Sequence, residues 1–307
     1  MSRRTLEGYT GIKQTTFSSI DTFEAAYSPT GVITIDYDGY PLDVLNVFRG
    51  AKTTLIVFHS SLNEKMQVLP VFSGQRLAED HNMNLISLSD PSLCFDDSLN
   101  LAWFLGNRKQ SLISDIPRII GTIMKTHLGS KAIYFGSSGG GFAALLHSRL
   151  EHGAVAIVAN PRIDLNARPK QDLGLYLRSC FRASGRTAGH RIMRENIVMN
   201  VSSLYKKNSE NVIVYIQNVR DRYYLRDNML QFVQSTSGNV NLNLLLSDFG
   251  VGHRPVPRQV LDGVISAVVK RNDSLEMNLS EIGFRNSPSL LTVDQWISDL
   301  LEEPLES

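Results

Sequence analysis

Cysteine is scarce: Cys94 and Cys180 are the only two in 307 residues, too few and too far apart for a disulfide framework or a zinc cluster. They read as buried packing thiols. Net charge is also missing, since 31 basic residues stand against 30 acidic ones, and a formal +1 points to neither nucleic acid nor an anionic membrane. No apolar run approaches the ~20 residues of a membrane span. The basic opening "MSRRTLEGYTGIKQ" is not followed by the apolar core of a secretory signal. A soluble, cytoplasmic protein is the expectation. Apolar residues, by contrast, are plentiful at 42%, enough for a large buried core.

The runs "GVITIDY" and "PLDVLNVF", joined by the turn-like "DGYP", predict an antiparallel entry into a sheet. From Thr53 onward uniformly apolar strands alternate with helical patterns: strand 53–58, helix 66–80, "NLISLS", helix 113–127, "KAIYFG", helix 140–150 and "AVAIVAN". Strands of this kind are buried on both faces, as in a parallel sheet covered by helices. Helix 113–127 carries Ile113, Ile116, Ile120, Ile123 and His127 at helical spacing, with Ser114 and Asp115 as caps and His127 as a packing residue. A mostly helical segment, 161–210, interrupts the alternation. "NVIVYIQ", a helix near 225–234, "NVNLNLLLS" and an amphipathic helix with Val260, Leu261, Val264, Ile265, Val268 and Val269 restore it. "TVDQWISDLLEE" has Thr292 and Gln295 at capping-box spacing and reads as an appended helix. The expected organisation is an extension over 1–30, a core over 31–160 and 211–272, a helical lid insertion over 161–210, and an appended segment over 273–307.

Chemistry concentrates at "IYFGSSGGGFAALL". A sharp turn from strand to helix holds one side chain over the sheet edge, and the residues two before and two after it must be nearly without side chain. Ser138 at the apex puts Gly136 and Gly140 in those places, whereas Ser137 would put Phe135 in the first. Ser138 is therefore the candidate nucleophile. The other reading, an anion-binding glycine turn, lacks the P-loop lysine and fails GxGxxG spacing.

A serine hydroxyl needs a base and a group that orients the base. Asp221 follows "NVIVYIQ", and His253 lies in the loop after "NLLLSDF", where Gly250 and Gly252 permit close backbone approach. The order Ser, Asp, His is the one this strand–turn–helix architecture uses. Asp164, after "AVAIVAN", is the alternative carboxylate, and Asp227 falls on the following helix. His81, His147, His152 and His190 read as surface or packing residues, and His59 as structural. For an oxyanion, donors are expected from the N–H of Gly139 and from Ser60 or Ser61 in the loop after "TTLIVF".

These residues together resemble the α/β-hydrolase superfamily over about residues 31–271, with "HSS" where many members have a His-Gly segment. The segments "YFGSSGGGFAALL" and "AIVANPRIDL" further resemble bacterial capsule O-acetyltransferases of this fold and related accessory-secretion proteins. The resemblance implies an α/β fold with a mostly parallel central sheet, antiparallel N-terminal strands and helices on both faces. It also implies acetyl transfer from acetyl-CoA to a sugar hydroxyl, with Ser138 carrying the acetyl group.

The expected function is thus serine-dependent acyl-ester chemistry on a carbohydrate or small polar ester. It takes the form of either esterase or O-acetyltransferase, with no cofactor beyond acetyl-CoA as co-substrate of a transferase. A non-catalytic scaffold or secretion partner of the same fold is the reading from another class. Residues 161–210 hold ten Lys or Arg and few acids. As a lid, Arg162, Arg168, Arg178 and Arg182 would favour an anionic ligand, while the plainer reading is a solvated basic face.

Overall fold

The computed structural model describes residues 3–302 apart from 38, 64–66, 170–172, 207–208, 237–239 and 271–273. Strand β1 (Gln14–Phe17) and helix α1 (Ile20–Glu24) precede β2 (Gly31–Ile35), β3 (Leu42–Val47) and β4 (Thr53–Phe58). Next come α2 (Gln75–Asp80), β5 (Asn84–Leu88), α3 (Leu112–Met124), β6 (Lys131–Ser137), α4 (Gly139–Ser148) and β7 (Val155–Ala159). Helices α5 (Leu173–Phe181), α6 (Gly185–Glu195) and α7 (Ser202–Tyr205) separate β7 from β8 (Val212–Asn218). Then α8 (Arg222–Tyr224), a π-helical turn (Leu225–Met229) and α9 (Leu230–Thr236) lead to β9 (Asn241–Ser247). Helices α10 (Arg258–Val269) and α11 (Leu275–Ser280), strand β10 (Arg285–Asn286) and α12 (Leu290–Glu302) follow.

Among the described residues the strands form one sheet in the order β1-β2-β3-β5-β4-β6-β7-β8-β9-β10. It is parallel from β5 through β4 and β6 to β9, and antiparallel at β2/β3, β3/β5 and β9/β10. The alternation of strand side chains divides the core into two layers. Ile56, Phe58, Ala156, Val158, Ile213 and Tyr215 point into one, beneath α3, α4 and α9. Leu55, Val57, Val155, Ile157, Val214 and Ile216 point into the other, with Leu77 of α2 and Val264, Ile265 and Val268 of α10. Helix α4 is buried at all ten positions, its apolar run Gly139–Leu146 ending in the buried polar pair His147 and Ser148. No described helix is long and apolar enough to cross a membrane.

Several local expectations change. Of helix 66–80 only Gln75–Asp80 forms, with residue 66 outside the described residues. Pro70 interrupts the run, and Gly74 stands at the N-cap with φ +82, where a Cβ would lie 2.6 Å from Val57. Helix α3 starts at Leu112, so Ser114 and Asp115 lie inside it rather than capping it: Ser114 Oγ donates to Ser111 O at 2.8 Å, and Asp115 accepts from the Tyr37 hydroxyl at 3.2 Å. The capping role assigned to Thr292 belongs to Ser289, whose Oγ accepts from the Thr292 amide at 3.2 Å, while Gln295 bonds Asp299 instead. Within the first 30 residues β1 adds a strand parallel to β2, and β10 adds an edge beside β9.

Candidate active site

The turn between β6 and α4 has the shape its glycines require. Ser138 sits at φ 51°, ψ −117°, outside the regions open to most side chains, and α4 begins at the next residue. A Cβ on Gly136 would collide with the Gly140 carbonyl, and one on Gly140 with the carbonyls of Phe58 and His59. Even Gly139 and Gly141 lack room, since a Cβ there would lie 2.7 Å from Leu101 and 2.6 Å from Pro161. Backbone bonds then pin the apex: Ser138 N donates to Ala159 O at 3.0 Å, and Arg162 N donates to Ser138 O at 2.8 Å.

Beside the apex, His253 Nδ1 lies 2.5 Å from Asp221 Oδ2. Asp221 is buried and also caps α8 through Oδ1, which accepts from Tyr224 N at 3.3 Å. The rival carboxylate is spent elsewhere, as Asp164 accepts from Asn166 N and from Asn200. The loop carrying His253 is tied down by Asn218 at the end of β8. Its side-chain amide donates to Gly250 O at 2.8 Å and Gly252 O at 2.9 Å, and its oxygen accepts from Phe249 N at 3.0 Å and Arg220 N at 3.2 Å. Asn160 adds a further tie to the loop by donating to Arg254 O at 2.9 Å. Both asparagines are buried, and reading the sequence singled out neither.

Tyr224 was also missed. Its hydroxyl is 3.0 Å from Ser138 Oγ, and its ring stacks on the His253 imidazole with centroids 3.9 Å apart. Among the described contacts Ser138 Oγ bonds Tyr224 and not His253. Arg162 does not reach a ligand as expected. It is 1% exposed and spends its guanidinium on Ala167 O, Arg168 O, Pro169 O and the Tyr224 hydroxyl. Spacing could have hinted at Tyr224, which stands one helical turn after the acid.

Ser138 and His253 line one cleft of about 300 Å³ together with Ser60, Ser61, Ser137, Asn160 and Arg254. The loop at Ser60 is fixed by His59, which accepts from Asp90 N through Nε2 at 3.1 Å and therefore donates from Nδ1 to Ser60 O at 2.8 Å. Burial pushes the His59 imidazole down to about 4, so it stays neutral, a structural role as expected. Burial also raises the Asp90 carboxyl to about 6 and the Cys94 thiol to about 11, and lifts Cys180 further. His127, a packing residue, is held between Thr54 and Asn46.

None of the residues lining the cleft comes from α5, α6 or α7. The segment read as a lid instead packs on the chain between β5 and α3, through Tyr176 to Gly106 O at 2.7 Å and Arg108 to Ser179 O at 3.0 Å. Arg168 is exposed and faces Asp227 at 3.4 Å. Arg178 and Arg182 are exposed near the end of α5, and Arg178 lines a separate groove with Arg186 and His190. Lys170, Asp172 and Lys207 lie outside the described residues.

No family model matches the chain, and no curated protein matches it. Among solved structures, the capsule O-acetyltransferase of Neisseria meningitidis serogroup A superposes with a TM-score of 0.53 at 16% identity, covering 71% of this chain and 89% of that one. A histidine-to-alanine mutant of that enzyme in complex with CoA gives 0.51 at 14% identity, covering 71% and 87%. A lipase/esterase from Lactobacillus plantarum gives 0.47 at 13% identity, covering 72% and 91%. A mostly parallel sheet with antiparallel entry strands, helices on both faces and a strained serine elbow at the end of β6 identifies the fold as that of the α/β-hydrolases.

Proposed function

We propose that this chain is a serine-dependent acyl-ester enzyme that works through an acyl group on Ser138. One observation carries the reading: a serine held at positive φ opens onto the same cleft as an imidazole 2.5 Å from a buried carboxylate. Asp221 orients His253 and stabilises its protonated form, and His253 Nε2 takes the Ser138 proton as Oγ attacks the acyl carbonyl. The first N–H groups of α4 have no partner within the helix, so Gly139 offers one donor to the oxyanion, and the Ser60–Ser61 loop offers the second. The leaving group departs with the proton from His253. Water or an acceptor hydroxyl then gives its proton to His253 and releases the acyl group.

The cleft sets serine hydroxyls, Asn160 and Arg254 beside an apolar wall of Phe135, Ala159, Pro255, Val256 and Leu261, and at about 300 Å³ it suits a small acyl ester, with the polar side open to a glycan, better than a long-chain lipid. In the transfer branch acetyl-CoA is the donor and a sugar hydroxyl the acceptor. The likeness to a capsule O-acetyltransferase, and the CoA bound to that enzyme's mutant, support this branch. A non-catalytic scaffold is the competing class, and it has no use for a strained serine beside an oriented histidine.

Labelling by a fluorophosphonate tests the reading. Wild type should label and Ser138→Ala should not, with turnover of p-nitrophenyl acetate falling about 10⁴-fold or more. Equal labelling, or none in either protein, overturns it. Acetyl-CoA consumption that requires a glycan acceptor then assigns transfer, and acceptor-independent turnover assigns hydrolysis.

A further inference from the structure

We infer that Tyr224, polarised by the buried Arg162, is a catalytic residue that donates its phenolic hydrogen to Ser138 Oγ while the nucleophile carries charge. This rests on the serine chemistry proposed above and adds a group to it. The direction of the hydrogen bond follows from donor counting. Arg162 has only donors, and its Nη2 lies 3.0 Å from the Tyr224 oxygen, so that oxygen accepts there. Among the described contacts the phenolic O–H has one oxygen left to donate to, Ser138 Oγ at 3.0 Å. The Ser138 proton is then free for His253.

Arg162 is what makes this donor more than a packing contact. Buried guanidinium groups ordinarily meet a carboxylate. Arg162 has none within ion-pair distance among the described residues: its other partners are three backbone carbonyls, and its Nε has no partner. Its carbon also lies 4.6 Å from the centroid of the Tyr224 ring. Positive charge is therefore stored behind the phenol in a site of low dielectric, where it favours negative charge on the far side of the hydroxyl. The same ring stacks on His253, and the Tyr224 amide is capped by Asp221, so one residue touches nucleophile, base and acid.

In acylation, the Oγ–C bond forms as His253 takes the Oγ proton and the carbonyl electron pair moves to oxygen; the Tyr224 hydrogen bond eases the charge on Oγ. In deacylation, the same bond meets Oγ as the Oγ–C bond breaks and His253 returns the proton. Tyr224 ends each cycle with its own proton. Arg162, acting through Tyr224, is a positioning residue.

The rate at which a fluorophosphonate labels Ser138 measures this without a natural substrate. Y224F keeps the ring on His253 and should label tenfold to a hundredfold more slowly, with a parallel fall in kcat/KM for p-nitrophenyl acetate. R162Q should lose a similar factor alone and nothing further in the Y224F background, a non-additivity that a purely structural role would not give. Labelling of Y224F within twofold of wild type overturns the inference while leaving the serine reading intact. Absence of wild-type labelling overturns the serine reading itself. Equal losses from R162Q in both backgrounds remove Arg162 from the proposal. Should Y224F fail to fold by circular dichroism, R162Q carries the test against R162K, which keeps the charge: labelling of R162Q at the wild-type rate overturns the inference, and a loss in R162Q that R162K largely restores supports it.

Discussion

The carboxyl edge of the sheet and the helical segment 161–210 handle polar residues in opposite ways. At the edge, where β6, β7, β8 and β9 end, Asn160, Asn218 and Asp221 are buried and bonded to particular backbone or side-chain groups. In the segment, Arg178, Arg182, Arg186 and Arg191 are exposed, and among the described residues Arg194 pairs with its neighbour Glu195 alone. Arg162 belongs by sequence to the segment and by contact to the edge. Burying a polar group costs several kcal/mol unless it is bonded, so a buried and bonded group reports a constraint, whereas an exposed cation reports little. A count of charges along the chain mixes the two kinds.

The hardest way to break the contrast is at Asn218. All four hydrogen-bonding positions of its side chain are used, two on carbonyls and two on amides of the surrounding loops. N218A leaves those partly buried groups without their side-chain partner and should cost about 1–3 kcal/mol of stability. With the His253 loop released, kcat/KM should also fall about tenfold to a hundredfold. Denaturant melts and ester kinetics check both. A variant as stable and active as wild type would mean that the edge does not depend on this hub.

The edge was partly legible before any coordinates. Ser138 could be read because steric demand is absolute at Gly136 and Gly140, where any side chain meets backbone. The meeting of Asp221 with His253 could be read because chain order and strand ends fix where such groups can stand. Asn218 and Asn160 could not, because asparagine after a strand looks like ordinary turn chemistry, and the one signal for Tyr224, its place a helical turn after Asp221, is shared by any packing tyrosine at a helix start. Nor could the burial of Arg162, since nothing in its neighbours distinguishes it from Arg168. The cut of helix 66–80 to Gln75–Asp80 was written in Pro70 and Gly74, but apolar periodicity outweighed them.

Acid should separate the two regions next. Burial holds His59 near 4 and His147 near 3, both under the edge, against about 6.5 for a free imidazole. Their folded values are depressed, so the stability they contribute is present above about pH 6.5 and is lost as pH falls toward 4, at about 1.4 kcal/mol per unit for each. Asp90 opposes this: its carboxyl is raised to about 6, so its contribution is held at low pH and lost as pH rises through that value. His127, brought down to about 4 at the far end of the strands, adds to the histidine side. Three histidines outweigh one carboxyl, and stability should drop by about 4–5 kcal/mol between pH 6.5 and 4.5. Urea melts at the two pH values measure it, and a flat profile would contradict the neutral burial of these rings.

The smallest effect is expected where sequence counting saw the strongest signal. Arg178, Arg182 and Arg186 make no ion pair among the described residues, and exposed charges of this kind are worth about 0–0.5 kcal/mol each. The triple variant R178A/R182A/R186A should therefore melt within about 2 °C of wild type. It should also turn over p-nitrophenyl acetate at the wild-type rate, because none of the three lines the cleft with Ser138. A polyanionic donor such as acetyl-CoA is a different probe, since a cluster of cations acts on it over a Debye length of about 8–10 Å without touching it. Under the transfer branch proposed above, KM for that donor should rise several-fold at low salt with kcat unchanged, and the rise should fade as salt screens the field. If turnover of the neutral ester falls instead, these helices share the chemistry of the sheet edge, and the division between a bonded edge and a solvated basic face does not hold.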